Sequence, residues 1–102
     1  MIVHVRTAKV APGKEQDVLA WAKELNTYIG SKDFNQFDLL KPQFGTEVDR
    51  LAFVLNFDSL AAYEQWDQAF QADEGVSERL KAATDLFVPG SLTVQSFQKV
   101  EQ

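Results

Sequence analysis

The sequence predicts an α+β fold of the ferredoxin-like sandwich type, a four-stranded antiparallel sheet with helices on one face. Four segments alternate apolar and polar residues as strands do, and helical apolar stripes separate them in the order β-α-β-β-α-(α)-β. Pro-Gly pairs at two of the junctions mark turns. The 102 residues contain no internal repeat or low-complexity linker, so we expect residues 1–102 to form a single domain.

The first strand is predicted from Ile2 to Val10, because its residues alternate between two faces. One face carries Val3, Val5 and Thr7, and the other carries Ile2, His4, Arg6 and Ala8. After the turn at Pro12-Gly13, apolar residues at helical spacing predict a helix from Lys14 to Ile29. We expect Gly30 to end this helix with a positive φ.

Two strands follow. Phe34 to Lys41 gives the weaker strand pattern, and Pro42 closes it before a loop that runs to residue 48. Asp49 to Phe57 gives the clearest strand pattern in the chain. Its large residues Leu51, Phe53, Leu55 and Phe57 alternate with Arg50, Ala52, Val54 and Asn56.

A second helix is predicted after Phe57, because Asp58 or Ser59 can accept hydrogen bonds from the amides of its first turn. Leu60, Tyr63, Trp66, Asp67 and Phe70 lie along one side of it. We expect Gly75 to interrupt this helix and a third helix to run on to Phe87 before Pro89-Gly90 stops it. A last strand is predicted from Leu92 to Val100.

The sheet face without helices should be polar if it meets water, and both faces of the third strand are apolar. We assign the small residues Val3, Val5, Ala52 and Val54 to the face beneath the helices, and the bulky set of the third strand to the open face. Several hundred Å² of exposed apolar surface is more than a soluble monomer usually tolerates. We therefore expect a homodimer through the open sheet face.

His4 and Arg6 share a face with the bulky set, so we expect both inside a largely apolar chamber. A few polar groups in an apolar cavity are typical of a small-molecule site, and we predict His4 and Arg6 as catalytic residues. Two alternatives stay open: Arg6 can simply pair with an acid across the dimer, and His4 can be a surface residue.

Composition bears on the other classes of function. A net charge of −5 and a pI near 4.7 disfavour partners with phosphate backbones or anionic lipid surfaces, so we expect neither nucleic-acid nor membrane binding. The chain has one His, no Cys and no Gly-rich phosphate loop, so we expect no metal and no nucleotide cofactor. The opening MIVHVRTAKV alternates and is unlike a signal peptide, and we expect a cytoplasmic protein.

Several segments resemble the dimeric α/β-barrel superfamily, and within it the NIPSNAP-like and antibiotic-biosynthesis-monooxygenase-like branches. They are the first strand from Ile2 to Thr7, the turn Ala11-Pro12-Gly13-Lys14, the pair Phe44-Gly45, and the junction Asn56-Phe57-Asp58-Ser59-Leu60-Ala61-Ala62. The resemblance runs over essentially the whole chain in element order. It implies the fold, the dimer and a site in the barrel beside each sheet.

The resemblance also implies candidate chemistry. Such proteins include cofactor-independent quinone-forming monooxygenases, haem-degrading oxygenases, small isomerases and proteins without a known reaction. Arg6 and Phe57 fall near first-strand and third-strand positions of the haem-degrading members. Those members place an iron-ligating His on the next helix, where this chain has Asp67. We therefore expect no haem.

For a cofactor-free oxygenase, Arg6 is the predicted partner of a substrate anion, and His4 or Asp67 is the predicted base. Phe53, Phe57, Trp66 and Asp67 are the predicted substrate-binding residues, with a small apolar or aromatic molecule as the ligand. Trp66 can instead be plain core, and Asp67 an exposed helix acid. The competing hypothesis is a non-catalytic ligand-binding or accessory dimer, in which Phe53 and Phe57 fill the subunit interface.

Overall fold

A computed structural model describes residues 1–42 and 49–100. The predicted Phe44-Gly45 pair therefore lies outside the described residues. The elements are β1 (Ile2–Lys9), α1 (Glu15–Ser31), β2 (Asp38–Leu40), β3 (Arg50–Phe57), α2 (Leu60–Ala72), α3 (Glu74–Ala82), a 3₁₀ turn (Thr84–Leu86) and β4 (Thr93–Gln98). The four strands form one antiparallel sheet in the order β2-β3-β1-β4, so the predicted ferredoxin-like α+β fold is confirmed.

Strand β1 lies at the centre of the sheet, and its register decides which residues share a face. Arg6 is opposite Phe53 of β3 on one side and opposite Val94 of β4 on the other. His4 is likewise between Leu55 and Ser96. Residues directly opposite each other in an antiparallel pair point to the same side. His4, Arg6 and the bulky set of β3 therefore share one face, as the alternation predicted.

That face is the one beneath the helices, so the assignment of the bulky set to the open face was wrong. Leu51, Leu55 and Phe57 are each only 3% exposed, and Leu55 and Phe57 belong to the core that α1 and α2 complete. A sheet and its covering layer lie about 10 Å apart, a gap that long side chains fill at close packing. The four small residues Val3, Val5, Ala52 and Val54 lie on the open face.

Helix α1 ends at Ser31, two residues later than predicted, and Gly30 is not its terminator. Gly30 stays within the helix, and Asp33 takes the positive φ, at 62°. Strand β2 is shorter than predicted because the Asn26 side chain hydrogen-bonds to both backbone groups of Phe37. Asn26 Oδ1 accepts from the Phe37 amide and Nδ2 donates to its carbonyl, at 3.0 and 3.1 Å. Pairing with β3 begins only at Asp38.

The second half of the chain also departs from the predicted boundaries. Ser59 caps α2, since its side chain accepts from the Ala62 amide. Asp73, rather than Gly75, separates α2 from α3 and caps α3 by accepting from Val76. Helix α3 ends at Ala82, before the predicted Phe87, and β4 covers only the middle of the predicted last strand. Short side-chain caps set these ends more sharply than apolar spacing does.

Candidate functional site

A cavity of about 390 Å³ lies between the sheet and the helices of the subunit. Aromatic rings from all layers line it, namely Trp21, Phe37, Phe53, Trp66, Phe70 and Phe87. The chain from Val88 to Leu92 forms a further part of the wall, and Leu92, 61% exposed, lies where the cavity meets solvent. Arg6 is the one charged residue among the described residues that line it. The cavity can hold a small, mainly apolar molecule.

Arg6 reaches this cavity because alternate residues of β1 face the helices. Three groups hold its guanidinium in place. Nε donates a 2.9 Å hydrogen bond to His4 Nε2, and Nη2 lies 3.5 Å from Asp67 Oδ1. Arg6 Cζ lies 5.8 Å from the centroid of the Trp66 ring, within cation–π range. A cation fixed this way in an apolar wall attracts an anionic oxygen more strongly than it would in water.

His4 lies behind Arg6 and is 0% exposed. Its Nδ1 is 2.9 Å from Ser96 Oγ, and its ring centroid is 4.7 Å from that of Tyr63. Burial, followed by the positive charge of Arg6, lowers the pKa of His4, and the Asp67 carboxylate only partly opposes this. The imidazole is therefore neutral near pH 7. Since Arg6 Nε always carries a proton, His4 Nε2 is the acceptor and Nδ1 carries the proton.

The structure brings together five of the six predicted site residues. Arg6, Phe53 and Trp66 line the cavity, and His4 and Asp67 contact Arg6. Phe57 is not on the cavity wall. Its ring packs 5.4 Å from the rings of both Tyr63 and Trp66, in the core behind the wall. Within the chain, Arg6 pairs with the acid Asp67.

Several solved structures share this architecture over nearly its whole length. The fold is that of NIPSNAP and antibiotic-biosynthesis-monooxygenase proteins. A NIPSNAP domain protein from Burkholderia xenovorans superimposes with a TM-score of 0.82 at 14% identity, covering 98% of this chain and 95% of that one. A NIPSNAP family protein from Agrobacterium tumefaciens gives 0.80 at 15% identity, covering 98% and 86%.

An antibiotic biosynthesis monooxygenase gives a TM-score of 0.73 at 17% identity, covering 99% of this chain and all of that one. The resemblance inferred from the sequence is thus confirmed at the level of the fold, which is what identities this low can show. No protein-family model matches the chain, and no curated protein matches it.

Within this NIPSNAP and monooxygenase fold, sequence reasoning missed part of the wall and the partner of His4. The sequence predicts Phe70 as a helix residue and Phe87 as the end of a helix, whereas Trp21 is a possible wall residue for which plain core is the favoured interpretation. Trp21 stands four residues before Leu25 in the apolar stripe of α1, and this spacing indicates that Trp21 lies on the buried side of the helix. Ser96 is opposite His4 only through the register of β1 with β4, which no local pattern shows.

Two features are absent from the described residues. Residues 1–42 and 49–100 contain no group of three or more His, Cys, Asp or Glu side chains placed to hold a metal ion. No helix in the same part of the chain is both long enough and apolar enough to cross a membrane.

Proposed function

We propose that this protein binds a small apolar or aromatic molecule with an acidic oxygen in the cavity, and oxidises it with O₂ as a cofactor-independent monooxygenase. One observation carries the proposal: among the described residues that line the cavity, Arg6 is the single charged side chain, on a wall that is mainly apolar and aromatic. Arg6 binds the oxygen, and the rings stack on the rest of the molecule. An enzyme described as an antibiotic biosynthesis monooxygenase has the same fold, which supports this class of reaction.

The substrate class that suits this wall is an electron-rich hydroxyarene. The positive charge of Arg6 favours the ionised form of the hydroxyl and so lowers its pKa on binding. The phenolate then reduces O₂ by four electrons. One oxygen atom becomes the new carbonyl of a quinone, and the other leaves as water with the ring hydrogen and the hydroxyl proton. No oxidant besides O₂ is needed.

Asp67 is the residue that we assign to take the hydroxyl proton. Its carboxylate lies 3.5 Å from the guanidinium that binds the oxygen, and its side chain is 27% exposed. A partly exposed carboxylate can receive a proton from the bound molecule and pass it to water. His4 is less suited to this role, because both of its ring nitrogens are already hydrogen-bonded to protein groups.

Both ring nitrogens of His4 are hydrogen-bonded to protein groups, so His4 is poorly placed to act as a base. This favours a second candidate function, a binding protein without turnover. Both candidates predict that Arg6 ionises the ligand, and only the first predicts consumption of O₂. The probe is 2-naphthol, whose absorbance reports its ionisation, and its turnover counterpart is a dihydroxynaphthalene monitored with an oxygen electrode. Arg6→Gln removes the cation, and Lys23→Gln removes a positive charge from an exposed position on α1 as a matched control.

Wild type and Lys23→Gln should bind 2-naphthol with a lowered hydroxyl pKa, and Arg6→Gln should lose at least about tenfold in affinity for its anion. Uptake of one O₂ per quinone formed supports the enzyme. Ionisation without any O₂ uptake over a panel of hydroxyarenes supports the binding protein. Equal binding by Arg6→Gln and wild type would refute this site for both functions.

We further propose that the protein is a homodimer through the open sheet face. That face carries the small residues Val3, Val5, Ala52 and Val54, with Leu40 and Phe97 at its edges. Leu40 is 54% and Phe97 50% exposed, whereas the four small residues are half-buried. A flat face of β-branched and small side chains packs closely against a copy of itself about a twofold axis.

A further inference from the structure

His4 is fully buried, and yet it is not one of the residues that line the cavity. It is in contact with the site through Arg6, which stands between its imidazole and the cavity. The groups that face the imidazole come from three elements: Arg6 on its own strand, Tyr63 and Asp67 on α2, and Ser96 on β4. Each ring nitrogen has one partner among them.

The hydrogen bonds around His4 have only one possible polarity. Arg6 Nε carries a hydrogen at every accessible pH, so His4 Nε2 must accept. The neutral ring then has its proton on Nδ1, which donates to Ser96 Oγ. Arg6 therefore sets the tautomer, and Ser96 Oγ accepts from the Nδ1–H that this tautomer presents. With Asp67 at Nη2, the guanidinium is held at two separate points, which fixes its plane.

We infer that His4 is a neutral positioning residue, which holds the Arg6 guanidinium in the orientation that receives the anionic oxygen of the ligand. The inference rests on the proposed function in that Arg6 must be the group that binds the anion. It assigns the roles in order: Ser96 anchors the Nδ1–H of His4, His4 orients Arg6, and Arg6 touches the ligand. A guanidinium held in advance loses less rotamer entropy when the ligand binds.

In this arrangement the charge of the ligand affects the pKa of His4 through Arg6. The charge of Arg6 disfavours a second proton on His4, and an anion bound to Arg6 offsets that charge. His4 is already 0% exposed, so a ligand cannot remove it further from water. An anionic ligand should therefore raise the pKa of His4, and a neutral ligand of the same shape should leave it unchanged.

The chain has one His, so nitrogen-15 NMR of the tag-free protein reads this residue without overlap. The probes are naphthalene-2-sulfonate, which is ionised throughout the titration, and its neutral analogue naphthalene-2-sulfonamide. We expect the Nδ1–H tautomer in the free protein, and a His4 pKa that rises with the sulfonate alone. An Nε2–H tautomer, or an unchanged pKa with the sulfonate bound, overturns the inference and leaves the proposed function standing.

Variants separate positioning from packing. His4→Leu keeps the bulk and removes the acceptor, and we expect it to weaken sulfonate binding about tenfold with little change for the sulfonamide. His4→Gln, which restores an acceptor oxygen, should recover most of the loss. An equal loss for both probes would show a merely structural role and overturn the inference.

Ser96→Ala is the milder variant, since it keeps the imidazole and removes only the acceptor of its Nδ1 proton, on the exposed strand β4. The Nδ1–H tautomer should persist, because Arg6 still donates to Nε2, but His4 loses its anchor on β4 and binding of the sulfonate should weaken. An unchanged affinity of Ser96→Ala for the sulfonate contradicts the role assigned to Ser96. If the sulfonate binds equally well to Arg6→Gln, both the inference and the proposed function fail.

Discussion

The hydroxyl of Tyr28 on α1 donates a 2.8 Å hydrogen bond to Asp73 Oδ1, at the junction of α2 and α3. This bond is the main cause that holds the pKa of the Asp73 carboxyl below its usual range. The Tyr28 ring is also covered by Arg79, whose Cζ lies 3.8 Å from the ring centroid. The Tyr28 hydroxyl also lies against Gly75, where an added Cβ atom would overlap the hydroxyl oxygen.

Gly75→Ala should destabilise the protein, although alanine favours a helix over glycine by about 1 kcal/mol. The reason is the overlap with Tyr28, which Asp73 and Arg79 hold in place. In a Tyr28→Ala background the overlap is gone, and the same Gly75→Ala change should stabilise by about 1 kcal/mol. Urea unfolding of the four proteins of this cycle measures the reversal of sign. The same sign in both backgrounds would rule out the overlap as the cause.

The fold class, the element order and the two sides of each strand were predictable, because they depend on the periods of apolar residues. Which side faces the helices was not, since β3 is apolar on both faces and the choice depends on the depth of the sheet-to-helix gap. The ends of α1 and β2 were missed for a related reason. Asn26 replaces a strand partner for Phe37 through a contact eleven residues away in sequence, which no local pattern reveals.

Phe57→Ala should destabilise the folded subunit by about 3–5 kcal/mol, because the ring is buried against Trp66 and Tyr63 and its removal leaves a cavity. The measurement is urea unfolding monitored by circular dichroism. Any weakening of a dimer should follow only from loss of the fold. Sedimentation that shows a folded monomer of Phe57→Ala would contradict this and return Phe57 to a subunit interface.

Val54→Lys should dissociate the proposed dimer and leave the subunit folded. Val54 is opposite Val5 on the open face, and a dimer that buried the new ammonium without a partner would lose several kcal/mol. Analytical ultracentrifugation measures the loss, and circular dichroism checks the fold. Gln68→Lys adds the same charge at an exposed position on α2 and should remain dimeric. Dimers of equal strength in both variants would place the interface elsewhere.

The sequence predicts which residues belong to the candidate site better than it predicts which of them are in contact. His4 and Arg6 follow from alternation and from their rarity as polar groups on an apolar face, and Phe53 follows from the alternation of β3. The pairing of Arg6 with Asp67 depends on how α2 crosses the sheet, and the partner of His4 depends on which strand lies beside β1. These contacts join residues about 60 and 90 positions apart, and the tertiary fold alone brings them together.

Acidification through the range just below pH 6.5 should destabilise the wild-type protein through His4. Burial and Arg6 lower the pKa of His4 in the folded state. In this pH range the imidazole therefore binds a proton more readily in the unfolded chain than in the folded one. The free energy of unfolding therefore rises with pH in this window and falls as the pH drops, by at most about 1.4 kcal/mol per pH unit for one proton.

His4→Gln removes the only imidazole of the chain, so the difference between wild type and variant isolates its contribution from that of the carboxylates. Urea unfolding at a series of pH values from 5 to 8 measures both proteins. The wild-type slope should exceed the variant's below pH 6.5, and the two should run parallel above it. Parallel curves over the whole range would mean that His4 takes up its proton as easily in the folded protein as in the unfolded chain.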